Sequence, residues 1–248
     1  NTGKVLYAGG ALVGTGASDK SCWLYDMATH TWTATGALST GRWEHTATLL
    51  TDGTVLVAGG CNEMGVINTA EIFDPTGNGG VGSWSNANGT MVTGRYQHMA
   101  VKLSDDDVLL VSGFDTGNNA LDTAEIFDHT LKTFAASTDT MTTPRLNGTI
   151  TLLADNTVLL VGGDDGESTP AVLDTAEVYT RGSPDTFVAT IGSMAEERHF
   201  HTATLLADDT VLIAGGVTAS SPVADTSYIF DPTPAVQTFT STTGEMPV

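Results

Sequence analysis

A run of apolar β-forming residues that closes on a glycine pair, or a near variant of one, returns five times along the chain. It reads VLYAGG, VLVAGG, VLLVSGF, VLLVGG and VLIAGG. The second glycine of each falls at Gly10, Gly60, Gly113, Gly163 and Gly216, at intervals of 50, 53, 50 and 53 residues. Such a period confines the chain to architectures that copy and stack one supersecondary unit, because a single unit cannot bury its own apolar side.

Each unit carries further landmarks in a fixed order. An arginine leads a first strand, A, in GRWEHTATLL (41–50), GRYQHMAVKL (94–103), PRLNGTITLL (144–153) and ERHFHTATLL (197–206). A turn rich in Asp, Asn and Gly follows (TDGT, SDDD, ADNT, ADDT), short enough for a tight antiparallel connection into the apolar strand B. A variable loop then leads to strand C, read as NTAEIFDP, DTAEIFDH, DTAEVYT or DTSYIFDP, which alternates polar and apolar positions. Strand D closes each unit on an aromatic residue: Trp32, Trp84, Phe134, Phe187 and Phe239. Four short strands make one blade of a propeller. No segment holds a 3.6-residue apolar period over a helical length, so the chain reads as all-β.

This order of glycine pair, aromatic-Asp and closing aromatic resembles the kelch family across essentially the whole of residues 1–248, taken as one domain. The resemblance implies a five-bladed β-propeller of four-stranded antiparallel blades. The count of landmarks is uneven, with five B strands but only four arginine-led A strands, so the first blade, opening on strand B at Lys4–Ala8, lacks its inner strand. In a closed ring Val248 would approach Asn1, and the open inner edge invites a neighbouring chain. The chain opens at Asn1 with no basic and apolar leader, from which removal of an upstream segment is expected.

The charge balance narrows the partners. Nine Lys and Arg stand against 29 Asp and Glu, a formal net charge of -20, which disfavours nucleic acid and anionic lipid surfaces. No apolar stretch approaches the roughly 20 residues of a spanning helix, so no membrane insertion is expected. Cys22 and Cys61 leave room for at most one disulfide and lack zinc-site spacing.

The kelch repeat is shared with the galactose oxidase propeller, whose copper ligands lie just after the repeat arginine and after the glycine pair. At the second position after each arginine, where that family uses tyrosines, this chain has Glu44, Gln97, Asn147 and Phe200, so no tyrosine ligand is matched. The next position holds His45, His98, Gly148 and His201, of which His201 would correspond to a copper-binding histidine. The three histidines are therefore transition-metal candidates, against packing between blades as the simpler role. Asp164, Asp165 and Glu167 crowd three carboxylates into one loop and are the candidate for calcium. No cofactor is otherwise expected, and no catalytic set can be assigned from spacing.

Other features have plainer readings. Arg42, Arg95 and Arg145 are matched by Glu71, Glu125 and Glu177 on strand C, while Arg198 is matched by Tyr228, a stacking partner in place of a carboxylate. GNGGVG (77–82) fits the dinucleotide fingerprint only formally, since no helix follows it, and SDDDV (104–108) occupies a turn. Asn88 and Asn147 head glycosylation triplets.

Propellers bind ligands where variable loops gather around the central channel. By resemblance to kelch binding faces, these are residues just after each arginine (Trp43, Glu44, Tyr96, Gln97, Leu146, Asn147, His199, Phe200) and after each glycine pair (Asn62, Glu63, Phe114, Asp115, Asp164, Asp165). Aromatic rings beside amides and carboxylates suit a protein or a glycan. The expectation is a non-catalytic binding or assembly module, extracellular or at the cell surface. A metal-dependent oxidase-like or other carbohydrate-active propeller, and a structural repeat of a larger surface protein, are the alternatives.

Overall fold

The computed structural model describes residues 3–12, 14–167, 171–233, 236–244 and 246. The second to fifth repeats each form one antiparallel sheet in strand order A-B-C-D, and the first forms one in the order B-C-D. The first holds β1 (Lys4–Ala8), β2 (Cys22–Asp26) and β3 (Thr31–Ala34). The second is built from β4 (Thr46–Leu49) and β5 (Val55–Ala58), then, beyond a two-stranded ribbon of β6 (Cys61–Asn62) and β7 (Gly65–Val66), β8 (Ala70–Asp74) and β9 (Ser83–Asn86). The third comprises β10 (Met99–Lys102), β11 (Val108–Val111), β12 (Ala124–Asp128) and β13 (Thr133–Ala136). The fourth comprises β14 (Thr149–Leu152), β15 (Val158–Val161), β16 (Ala176–Thr180) and β17 (Thr186–Ala189). The fifth comprises β18 (Thr202–Leu205), β19 (Val211–Ala214), β20 (Ser227–Asp231) and β21 (Thr238–Ser241).

The first sheet has three strands where the others have four, as the missing arginine-led segment predicts. One helical turn, α1 (Gly77–Gly80), sits in the enlarged GNGGVG loop, and left-handed Asn78 and Gly79 inside it keep it from being a regular helix. Asn1 and Val248, whose approach a closed ring would require, lie outside the described residues. The chain divides into two compact units. Unit 1 is Asn1–Val108, Phe114–Asn118 and Glu125–Ala135; unit 2 is Leu109–Gly113, Asn119–Ala124 and Ala136–Val248, so the division falls within the third sheet.

In unit 1, Cys22, Leu38 and Val57 pack with Leu6, Ala8, Val55 and Trp84 between the first and second sheets. Trp84 also donates its indole N–H to the Gly36 carbonyl at 2.7 Å. In unit 2, Leu159, Val161, Val178, Ile213, Tyr228 and Phe230 belong to one buried cluster between the fourth and fifth sheets. Each closing aromatic tilts against the aromatic of strand C in its own sheet. Ring centroids are 5.1 Å apart for Tyr25–Trp32, Phe73–Trp84 and Phe127–Phe134, 5.0 Å for Tyr179–Phe187 and 4.9 Å for Phe230–Phe239. These are the offset geometries favoured by the ring quadrupole.

The repeat arginines are fully buried and account for the glycine pairs. Arg42, Arg95 and Arg145 meet Glu71, Glu125 and Glu177 at 3.1, 3.2 and 3.1 Å. Arg198 lies over the Tyr228 ring at 4.8 Å, and Glu196 reaches it at 3.6 Å. The pairing and its aromatic replacement therefore follow the sequence pattern. Each guanidinium spans two strands, as when Arg42 donates to the carbonyls of Gly59 and Thr69, both at 2.9 Å. The arginine carbonyl in turn accepts from the glycine pair of the preceding repeat: Gly60 N–H to Arg95 O at 2.9 Å, and Gly163 N–H to Arg198 O at 2.9 Å. At Gly59 and Gly162, φ is +64° and +57°, and a Cβ would lie 2.5 Å from the Arg95 and Arg198 carbonyl oxygens. Glycine meets that backbone and that approach without a steric penalty, whereas in the third repeat Ser112 stands at the same position with φ of 61°, fully buried, its Oγ accepting from the Arg145 N–H at 3.2 Å.

Candidate functional site

The two loop sets expected to share a surface are joined by backbone pairing in every arginine-led repeat. Trp43 pairs with Cys61, Tyr96 with Phe114, Leu146 with Asp164 and His199 with Val217, each as an isolated antiparallel bridge. The next residue after each first partner is left-handed although none is glycine: Glu44, Gln97, Asn147 and Phe200 have φ of 54°, 53°, 55° and 54°. Backbone strain of this kind at non-glycine positions concentrates where proteins hold side chains for use. These loops are linked from repeat to repeat, Gln97 N–H to Glu44 O at 3.1 Å in unit 1 and Phe200 N–H to Asn147 O at 2.8 Å in unit 2.

In unit 1 the loops enclose an open cleft of about 510 Å³ lined by Trp43, Glu44, Cys61, Met64, Tyr96 and Asn118, among others. Tyr96 stacks near Phe114 with centroids 5.4 Å apart, and its hydroxyl donates to Asn118 Oδ1 at 2.8 Å. Glu44 is exposed; its Oε1 accepts from Gln97 Nε2 at 2.9 Å and its Oε2 lies 3.8 Å from Cys61 Sγ. Burial and the Glu44 carboxylate push the Cys61 thiol up to about 11. Burial, followed by the charges of Cys61, Glu44 and Asp115, raises the Tyr96 phenol. The sequence marks Cys61 only as a possible disulfide partner and does not mark Met64 or Asn118 at all, because nothing in the repeat identifies which variable-loop residues line the cleft.

The remaining expected residues are placed otherwise. Glu63 accepts from the Ser18 backbone N–H and from Ser18 Oγ, tying its loop to the first repeat. Asn62 and Asp115 accept from backbone N–H groups of their own turns, Met64 and Gly117, at 2.9 and 2.7 Å. In unit 2, Leu146 is 1 % exposed and belongs to the interior, a correction to its placement on the binding surface. Asp164 is also buried; its Oδ2 accepts from Asn147 Nδ2 at 2.9 Å and contacts His199 Nδ1 at 3.0 Å. Phe200 is 62 % exposed beside the His199 ring. Both sequon amides are engaged, Asn147 as above and Asn88 with the Leu131 carbonyl at 2.7 Å.

The structure does not gather the metal candidates. His98 Nε2 bonds the Thr46 hydroxyl at 2.7 Å and His201 Nε2 the Thr149 hydroxyl at 2.9 Å, each reaching the A strand of the preceding repeat. Their rings pack beneath Gly59 and Gly162. His45 packs beneath Gly9 in the same way, but among the described residues it has no such hydroxyl, since the first sheet lacks that strand. Burial first, then the adjacent arginine, lowers His45 to about 4, His98 to about 3 and His201 to about 4, so all three are neutral at pH 7. Asp165 spends its carboxylate on the backbone of its own loop, at Glu167 and Ala171, and does not close with Asp164 and Glu167 into a cage. Among the described residues the one group of three potential ligands is Asp107, Asp128 and His129. There Asp107 Oδ1 meets both His129 N–H and Nδ1, at 2.9 and 2.8 Å, which locks the A-B turn to the C-D turn. Cys22 and Cys61 are free thiols, so the single bridge that the count allowed is not formed.

No curated protein matches the chain. The family model described as the KLHDC2/KLHL20/DRC7 Kelch-repeats domain matches residues 1–216. Kelch domains are β-propeller modules that generally bind proteins. That match runs through the last glycine pair, and the sheets, glycine pairs and buried arginines beneath it recur in step, so the chain belongs to the kelch-repeat family.

Proposed function

We propose that the chain is a non-catalytic recognition module that takes up a protein partner in the unit 1 cleft. The observation that carries this reading is the cleft itself, an open volume walled by Trp43 and Tyr96 on backbone held by cross-loop pairing. Large rigid aromatics on fixed loops supply contact area at little entropic cost, which is how interface anchors work. A setting outside the cell is part of the same proposal and rests on the acidic, lysine-poor composition.

The test is a displayed-peptide library panned against the chain, alongside a glycan array, with Trp43→Ala/Tyr96→Ala as the counter-screen. Peptides that lose binding to the double variant, while its melting curve is retained, support the reading. Binders indifferent to the two substitutions, or glycans alone that depend on them, overturn it. A neighbouring chain at the free edge of β1 is the second reading, favoured by the three-stranded first sheet. Sedimentation showing a dimer that Tyr7→Lys dissolves would support it, and a monomer at all concentrations would remove it.

A further inference from the structure

The cleft is selective by charge as well as by shape. Glu44 sits at its edge in a left-handed backbone conformation, with its carboxylate steadied by the Gln97 amide. Among the described residues no lysine, arginine or histidine pairs with it, and its second oxygen faces only a thiol, a weak donor. A carboxylate fixed by a neutral donor and left exposed is open to a cationic partner. Burial first, and the Glu44 charge after it, raise both the Cys61 thiol and the Tyr96 phenol.

Seven of the nine basic residues are engaged away from the cleft. Four of the nine basic residues are the buried repeat arginines. Of the other five, Lys4 and Lys102 are already paired with Asp26 and Asp106, and Lys20 donates to the Ser39 carbonyl. With a net charge of -20, the long-range field draws cations to the surface, where Trp43 and Tyr96 line the same open cleft as Glu44. Indole and phenol faces also attract cations through their quadrupoles.

We propose that the cleft of Trp43, Glu44 and Tyr96 is a receptor for a basic side chain of the protein partner, with arginine the best occupant. Its guanidinium places a planar cation against an aromatic face while an N–H donates to Oε2 of Glu44 in place of the weak Cys61 thiol. This rests on the recognition reading above and adds the chemistry of the anchor residue.

Cys61 lines the cleft, and Cys22 is buried at 2 % exposure, so alkylation of Cys61 by iodoacetamide reports occupancy. The probes are the pentapeptides acetyl-Gly-Ser-Arg-Ser-Gly-amide and its Glu counterpart, at millimolar concentration. The arginine peptide is expected to slow alkylation several-fold, less so as salt is raised, and to lose that effect in Glu44→Gln. The Glu peptide is expected to have none. No protection by the arginine peptide, or equal protection in Glu44→Gln or by the Glu peptide, overturns the proposal. Library peptides separate the two readings: binders that need Trp43 and Tyr96 but ignore Glu44→Gln keep the recognition module and remove the basic anchor. Binders that need none of the three remove both.

Discussion

The loop end of unit 1 and that of unit 2 share a backbone frame and use their carboxylates in opposite ways. Glu44 and Gln97 in one, and Asn147 and Phe200 in the other, adopt the same left-handed conformation within about two degrees and carry the same repeat-to-repeat hydrogen bond. In unit 1 the carboxylate belongs to the left-handed residue and stays exposed over an open cleft. In unit 2 it belongs to Asp164, one strand pairing away, and is buried beneath Asn147 and His199. A repeated scaffold thus fixes where side chains stand but not whether they face inward, and the unit that consumes its carboxylate is the one whose Phe200 is left bare.

The shared frame is the first thing to break. Glu71→Ala in unit 1 and Glu177→Ala in unit 2 each strand a buried guanidinium, and each is expected to cost about 3–5 kcal/mol. Urea melts showing similar losses support one frame in both units, whereas a loss in only one would mean the arginines are held differently. The loop carboxylates should then diverge. Asp164→Ala leaves Asn147 and His199 without their acceptor and is expected to cost about 1–3 kcal/mol. Glu44→Ala should stay within about 0.5 kcal/mol, as exposed substitutions do. Equal costs would erase the contrast.

The histidines beneath the glycine pairs make the frame sensitive to acid. Their folded-state values lie at about 3 to 4, below the ordinary 6.5, so the folded protein refuses protons that the unfolded chain accepts. Both states are neutral above pH 6.5, and the penalty grows as pH falls from there towards 4, by about 1.4 kcal/mol per pH unit for each histidine. Melts at pH 7, 6 and 5 should fall accordingly, and His98→Leu should flatten that dependence even if it lowers stability at pH 7. An unchanged slope would mean the ring is not held neutral. The smallest effect is local to unit 1: Glu44→Gln removes the charge that raises the Cys61 thiol, so alkylation at pH 8 should quicken several-fold. An unchanged rate would leave burial alone as the cause.

Much of this could be read from the chain, because it is periodic. The strands, the closing aromatics, the Arg–Glu pairs and the replacement of glutamate by Tyr228 all repeat at fixed offsets, and a repeat reports its own constraints. The pairing of the two loop sets agrees with what the kelch resemblance implies for them. What spacing could not show is the direction of a side chain in a variable loop. Asp164 is followed by Asp165 and Glu167 and reads as an exposed acidic patch, yet Asn147 and His199 draw it inside. Asp107 looks like one of three turn aspartates until His129, 22 residues on, closes over it. The histidines share a position that suggests ligands, and only the Thr46 and Thr149 hydroxyls one repeat back reveal their use.

The division of the chain also settles what light can report. Its four tryptophans, Trp23, Trp32, Trp43 and Trp84, all fall in unit 1, while unit 2 has none. Indole emission excited at the red edge of absorption therefore follows unit 1 alone, whereas far-ultraviolet dichroism follows the strands of both. Superimposed melting curves from the two signals would mark a single cooperative transition, and separated curves would give each unit its own stability.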